Sequence, residues 1–238
     1  MSRYAITPSP RPVLAISGTE AVFPVRRIYC VGRSYAAHAR EMGADDREPP
    51  FFFSKPADAV VNCPPGQTVA LPYPSATQDL HYEVELVTAL ASGGRNLTPE
   101  QGLATVFGLS VGIDLTRRDL QNGFKAKGHP WDAAKGFDHS APCGPLYPVA
   151  SSNQEMSGAR IWLSCEGEIR QDGLVDDMIW SLGETIAQCS RFWTLEPGDL
   201  IFTGTPEGVG PVQVGQTLEA GIDGLGTLSI LIDPPLSI

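Results

Sequence analysis

His81-Tyr82-Glu83-Val84-Glu85-Leu86-Val87 sets two carboxylates inside a run of otherwise strand-forming residues. Side chains alternate across a strand, so the spacing predicts Glu83 and Glu85 on one face and Tyr82, Val84 and Leu86 on the other. Two like charges roughly 6–7 Å apart on one strand face repel each other. A fold accommodates them when a cation lies between them or when that face meets water. The next apolar run, Val106-Phe107-Gly108-Leu109-Ser110-Val111-Gly112-Ile113, ends in a third acid, Asp114. Three acids within or at the ends of apolar strands, with no cysteine or histidine cluster beside them, point to a divalent-metal site built from oxygen ligands.

Outward from this pair the chain reads as many short strands and few helices. Residues 1–25 carry prolines and read as an extended arm or a short strand pair around 13–16. Ile28–Gly32 and 51–56 read as strands stopped by glycine and proline. Residues 34–43 between them are alanine-rich, opened by Ser34 and closed by Gly43, and predict a short helix. Short helices are also expected over 98–104 and 117–124, a hairpin over 160–170 turning at Glu166-Gly167, and a helix over 176–192. Residues 200–204 and 228–232 read as closing strands. With 25 glycines and 21 prolines, this pattern predicts an α+β chain, a mixed β-sandwich or β-roll rather than a doubly wound fold. No repeat or linker interrupts residues 26–238, which read as a single domain carrying the arm.

Composition bounds the function. Apolar residues are 42% and charged residues 18% of 238, an ordinary globular balance. A net charge of −10 argues against nucleic acid and anionic membrane as partners. An enzyme of anionic substrates would then need a locally basic pocket. Five cysteines, far apart and odd in number, predict reduced thiols and a cytoplasmic chain. No apolar run reaches the length of a membrane span, and the N-terminal residues lack a signal-peptide pattern.

Several groups could act with the acids. His38 and Glu41, three apart on the expected helix, share a face; they form either a general-base pair or two ordinary surface residues. Arg118 and Gln121 follow Asp114 and would lie on one side of a helix with it. Residues 127–138 mix basic, aromatic and glycine residues without period, as a site loop does. Residues 202–210 form a glycine-rich turn that lacks a nucleotide-loop pattern, and its hydroxyls and N–H groups could hold a small carboxylate.

Taken together the motifs resemble the fumarylacetoacetate hydrolase family. The resemblance rests on Gly32-Arg33-Ser34-Tyr35-Ala36-Ala37-His38, Tyr82-Glu83-Val84-Glu85, residues 112–121 (GIDLTRRDLQ), Ala134-Lys135-Gly136-Phe137-Asp138 and residues 202–210 (FTGTPEGVG), in that order. Residues 27–33 and 48–59 are most similar to the short fumarylpyruvate hydrolases of that family. Ser34 stands where the family carries asparagine, which implies altered loop hydrogen bonding.

The resemblance implies the fold of the family's C-terminal domain, a homodimer, and a 2,4-dioxo acid as substrate. It implies that Glu83, Glu85 and Asp114 bind Mg²⁺, with Mn²⁺ or Ca²⁺ as substitutes. His38 with Glu41 would activate water, and Lys135, Arg118 and Gln121 would face the reacting oxygens. Thr205 would hold the pyruvate carboxylate; Arg33 and Lys55 are candidates, by charge alone, for a distal carboxylate. The implied reaction is hydrolysis of fumarylpyruvate to fumarate and pyruvate. Other acylpyruvates and oxaloacetate decarboxylation need the same groups, whereas a dehydratase, an isomerase or a metal-binding protein would not need the His38–Glu41 pair.

Overall fold

The computed structural model describes residues 4–32, 34–35, 49–149 and 156–236. Among them, strands dominate and four α-helices are short, as an α+β reading requires. The largest sheet runs in the order Phe51–Lys55, Ile28–Gly32, Leu200–Phe202, Val84–Leu90, Val106–Ile113, Ala141–Cys143, Val60–Asn62, and Tyr147–Pro148 also pairs with Val106–Ile113. A second sheet runs Glu168–Leu174, Arg160–Cys165, Thr217–Ile222, Thr227–Asp233, Thr68–Pro72. Both are mixed, since Leu200–Phe202 joins Ile28–Gly32 in parallel and Thr227–Asp233 joins Thr68–Pro72 in parallel, while most other pairings are antiparallel.

The central strand Val84–Leu90 is buried along its whole length, because both of its faces are covered. Leu86 and Leu90 join an apolar cluster with Ile161, Leu163, Leu218 and Ile230 of the second sheet. Val87 and Ala89, on the other face, join Leu14, Phe23, Ile28, Leu200 and Phe202. Leu14 and Phe23 come from the small pair Val13–Ala15 and Val22–Pro24.

The hairpin turns at Glu166 and Gly167, both at positive φ (53° and 77°), the geometry of a two-residue turn that matches strand twist. The helix read over 176–192 is shorter. A 3₁₀ turn, Val175–Asp177, precedes it, and the α-helix proper is Leu182–Phe192. Ser181 Oγ accepts from Glu184 N–H at 3.3 Å while Glu184 accepts from Ser181 N–H at 2.9 Å, a capping box that starts the helix there. Met178 and Ile179 before it engage Tyr35 and Ser34 instead.

Candidate active site

The stretch around the two glutamates is not one strand. Leu80–Tyr82 belongs to a small sheet with Thr116–Arg117 and Gly210–Pro211, whereas Val84 onward belongs to the large sheet. Glu83 lies at the crossing between them. There a side chain joins the backbone bonding: Val84 N–H donates to Gln171 Oε1 at 2.9 Å, while Asp114 N–H donates to Glu83 O at 2.8 Å and carries the pairing one residue past Val84 and Ile113. Glu83 and Glu85, two residues apart, bring their carboxylates together as strand alternation predicts, and the pairing of Val84 with Ile113 brings Asp114 alongside them. Asp114 also precedes the helix Arg118–Lys127 rather than riding on it.

One oxygen each of Glu83, Glu85 and Asp114 lies within 4.8 Å of the others, and all three residues are buried. Cations surround two of them. Lys135 Nζ reaches Glu83 Oε2 at 2.9 Å, Asp114 Oδ2 at 2.7 Å and Thr116 Oγ at 2.6 Å. Arg118 donates to Glu83 Oε1 and to Gln121 Oε1. Burial alone would lower the Lys135 ammonium, but Asp114 and Glu83 outweigh it and raise it, so this lysine stays charged. Glu85 has no cation in contact among the described residues; Gly204 N–H donates to its Oε2 at 2.7 Å. Burial first, then the charges of Asp114 and Glu83, hold its carboxyl well above the ordinary carboxylate range. Gly204 makes this contact at φ +94°, and a Cβ there would stand 2.5 Å from the Ser34 Cβ, so glycine is required.

The donor set suits a hard divalent cation: three carboxylates, no sulfur or imidazole. Among the described residues Asp114 Oδ1 is buried without a hydrogen bond, since Lys55 Nζ lies 2.8 Å away as an ion pair but off hydrogen-bonding geometry. Among the described residues no cation touches Glu85, and the charge of Lys135 offsets its burial only in part. Both features are what a doubly charged ion between the three acids would satisfy.

These groups floor a cleft of about 500 Å³, its open mouth included, whose walls are Val31, Gly32, Phe51, Phe53, Trp131 and Thr205. Lys135 ends the short helix Asp132–Lys135, so the stretch read as a site loop does supply the site with Trp131 and Lys135; His129 and Asp138 stay outside the cleft. Thr205 Oγ accepts from Gln171 Nε2 at 2.8 Å. His81 accepts from Arg118 Nε at 3.4 Å through Nδ1 while its Nε2 faces Asp79 at 2.9 Å. Burial and then Arg118 lower its pKa, consistent with a neutral ring that steadies Arg118.

Lys55 is placed differently from the expectation. Its side chain is fully buried and its ammonium donates to Leu115 O at 3.2 Å and to Lys135 O beside Asp114. With those three neighbours its donors are engaged, so it braces the acid from behind and does not reach a substrate carboxylate. Arg33, His38 and Glu41 lie outside the described residues. Ser34 Oγ, whose change from asparagine suggested altered bonding, is buried with no hydrogen-bond partner among the described residues. Sequence reading missed Gln171 and Lys125. Gln171 sits between Arg170 and Asp172 in a polar hairpin strand and gives no local signal. Lys125, seven residues beyond Arg118 on the same helix, was legible from spacing.

Comparison with known proteins agrees with this geometry. A crystal structure of fumarylpyruvate hydrolase from Pseudomonas aeruginosa in complex with Mn²⁺ and pyruvate matches 98% of this chain and 100% of its own, at 52% identity and a TM-score of 0.94. An oxaloacetate tautomerase of Escherichia coli (strain K12) is 40% identical over 202 residues, 85% of this chain and 90% of that protein. A mitochondrial oxaloacetate decarboxylase of Dictyostelium discoideum is 38% identical over 202 residues, covering 85% and 91%. The family described as fumarylacetoacetate (FAA) hydrolase, C-terminal, matches residues 27–232, which takes in every acid and cation of the cleft floor, and the chain belongs to that family.

Proposed function

We propose that the protein hydrolyses the C–C bond of an acylpyruvate in a divalent-metal-dependent reaction, with fumarylpyruvate giving fumarate and pyruvate. The observation that carries this reading is the buried acid triad flanked by Lys135 and Arg118 on one cleft floor. A structural neighbour 52% identical to the chain holds Mn²⁺ and pyruvate. Glu83, Glu85 and Asp114 would hold the ion, Mg²⁺ in the first instance, which as a Lewis acid supplies stabilisation of negative charge on the 2-oxo oxygen. Thr205 and the adjacent backbone take the pyruvate carboxylate. His38, oriented by Glu41, takes a proton from water; the water oxygen bonds to C4 and the C3–C4 pair leaves to C3, which is then protonated. Arg118, ordered by Gln121 and His81, presents donors where oxygen charge grows, and the ammonium of Lys135, held by Glu83, Asp114 and Thr116, adds its positive charge from the floor. Water activation of this kind contributes about 10²–10⁴-fold. The proposal includes a homodimer, as the resemblance implies, and a cytoplasmic location, from the five scattered cysteines.

A second reading, tautomerisation or decarboxylation of oxaloacetate, is favoured by the curated relatives. It uses the same floor, because it too develops charge on a 2-oxo oxygen. A panel of fumarylpyruvate, maleylpyruvate, acetylpyruvate and oxaloacetate with Mg²⁺ separates the two. The expected outcome is the highest kcat/KM with fumarylpyruvate, lost on chelation and restored by Mg²⁺. Turnover of oxaloacetate with no C–C hydrolysis of any acylpyruvate overturns the proposal.

A further inference from the structure

Three cations among the described residues line the cleft: Arg118, Lys125 and Lys135. Two are committed to acids of the floor, Arg118 to Glu83 and Lys135 to Glu83 and Asp114. Lys125 is exposed, and no carboxylate lies within ion-pair distance of it among the described residues. Seven residues separate it from Arg118, nearly two full turns, so the two project along one side of the helix about 10 Å apart on its axis. The helix thus carries one paired cation at the floor and one uncommitted cation at the rim. The same cleft has an aromatic wall, where Trp131 meets Phe51 edge-on at 5.3 Å and Phe53 at 5.9 Å.

We infer that Lys125 is the specificity residue of the site, receiving the second carboxylate of a long, dicarboxylic 2-oxo acid. The inference rests on the acylpyruvate reading and deepens it. A pyruvyl end at the floor, a flat unsaturated linker against Trp131 and an anionic terminus at Lys125 satisfy the cleft from floor to rim. A monocarboxylic acylpyruvate leaves Lys125 in water, and a four-carbon dicarboxylate such as oxaloacetate is too short to reach it. The acids of the floor would be answered by Arg118, Lys135 and the bound ion, and Lys125 adds positive charge at the rim, where an overall acidic molecule needs it to attract the far end of a dianion.

The test uses the Mn²⁺-loaded full chain and reads binding apart from turnover. Calorimetry compares 2-oxoheptanedioate with 2-oxoheptanoate, which differ only in the terminal carboxylate and lack the cleavable 1,3-dioxo unit. The wild type is expected to favour the dicarboxylate roughly 10- to 100-fold, the size of a charge-assisted contact. Lys125→Met should erase that preference while leaving the monocarboxylate affinity unchanged, and Lys125→Arg should restore most of it. In the hydrolysis assay Lys125→Met should raise KM for fumarylpyruvate and leave acetylpyruvate unaffected. Equal preference in wild type and Lys125→Met, or equal losses for both ligands, overturns the assignment. A wild type that discriminates by the terminal carboxylate but hydrolyses no acylpyruvate overturns the proposed reaction and leaves the rim site standing.

Discussion

Glu85 is the acid whose state depends most on what shares the cleft. It is buried, pushed toward its protonated form by Asp114 and Glu83, and faces a backbone N–H rather than a cation. Glu85→Gln keeps the hydrogen bond from Gly204 and removes the repulsion. We expect the metal-free variant to melt higher than wild type, by roughly 2–4 °C for each kcal/mol relieved in a chain of this size. The Mn²⁺-induced rise in Tm should largely vanish. A variant that still gains the full Mn²⁺ shift removes Glu85 from the ligand set. At this scale the acids were legible in the sequence because a carboxylate inside an apolar run is costly and demands a partner. Lys55 was misread for the converse reason. Charge is written in the sequence and depth is not, and only the packing of Phe51–Lys55 at the sheet edge shows its ammonium turned inward to Asp114.

The junction at Glu83, between Leu80–Tyr82 and Val84–Leu90, is held by a side chain from another sheet. Gln171 Oε1 accepts from Val84 N–H, and its Nε2 donates to Thr205 Oγ and to Pro206 O at 2.9 Å. One amide thereby ties the strand that carries Glu85 to the turn that carries Thr205. Gln171→Leu keeps the volume and strands three buried polar groups, which predicts a stability loss of about 1–3 kcal/mol by urea unfolding. It also predicts weaker binding of Mn²⁺ and of pyruvate together. A variant that loses stability with both affinities intact would show Gln171 to be structural only. The strands and the hairpin could be read from alternation and from the Glu166-Gly167 turn, and the start of Leu182–Phe192 from Ser181 and Glu184, three residues apart. The strand break could not. Residues 81–87 have strand composition throughout, and the crossing is imposed by pairing partners more than 25 residues away in sequence.

At the scale of the molecule, the acidic exterior and the balanced cleft coexist because Lys55, Lys135 and Arg118 are spent on Glu83 and Asp114. The cysteines are buried too. Burial holds Cys30 and Cys143 well above the ordinary thiol range and pushes Cys63 up to about 12. An unfolded chain ionises these thiols near pH 9, whereas the folded chain keeps them protonated. Their contribution is therefore complete below pH 9 and is lost as pH rises toward 12, at about 1.4 kcal/mol per pH unit for each thiol. Urea midpoints should fall steeply above pH 9, and Cys63→Ala should make that slope shallower; an unchanged slope removes Cys63 as a cause. The crossing at Glu83 has one more consequence. The groups that meet there come from positions 83, 85, 114, 135, 171 and 204, and no contiguous fragment shorter than residues 83–204 contains them all. Long-range contacts of this kind close late, after the entropy of the intervening loops has been overcome. Ion binding is thus acquired by the whole topology at once, and its appearance during refolding counts finished molecules.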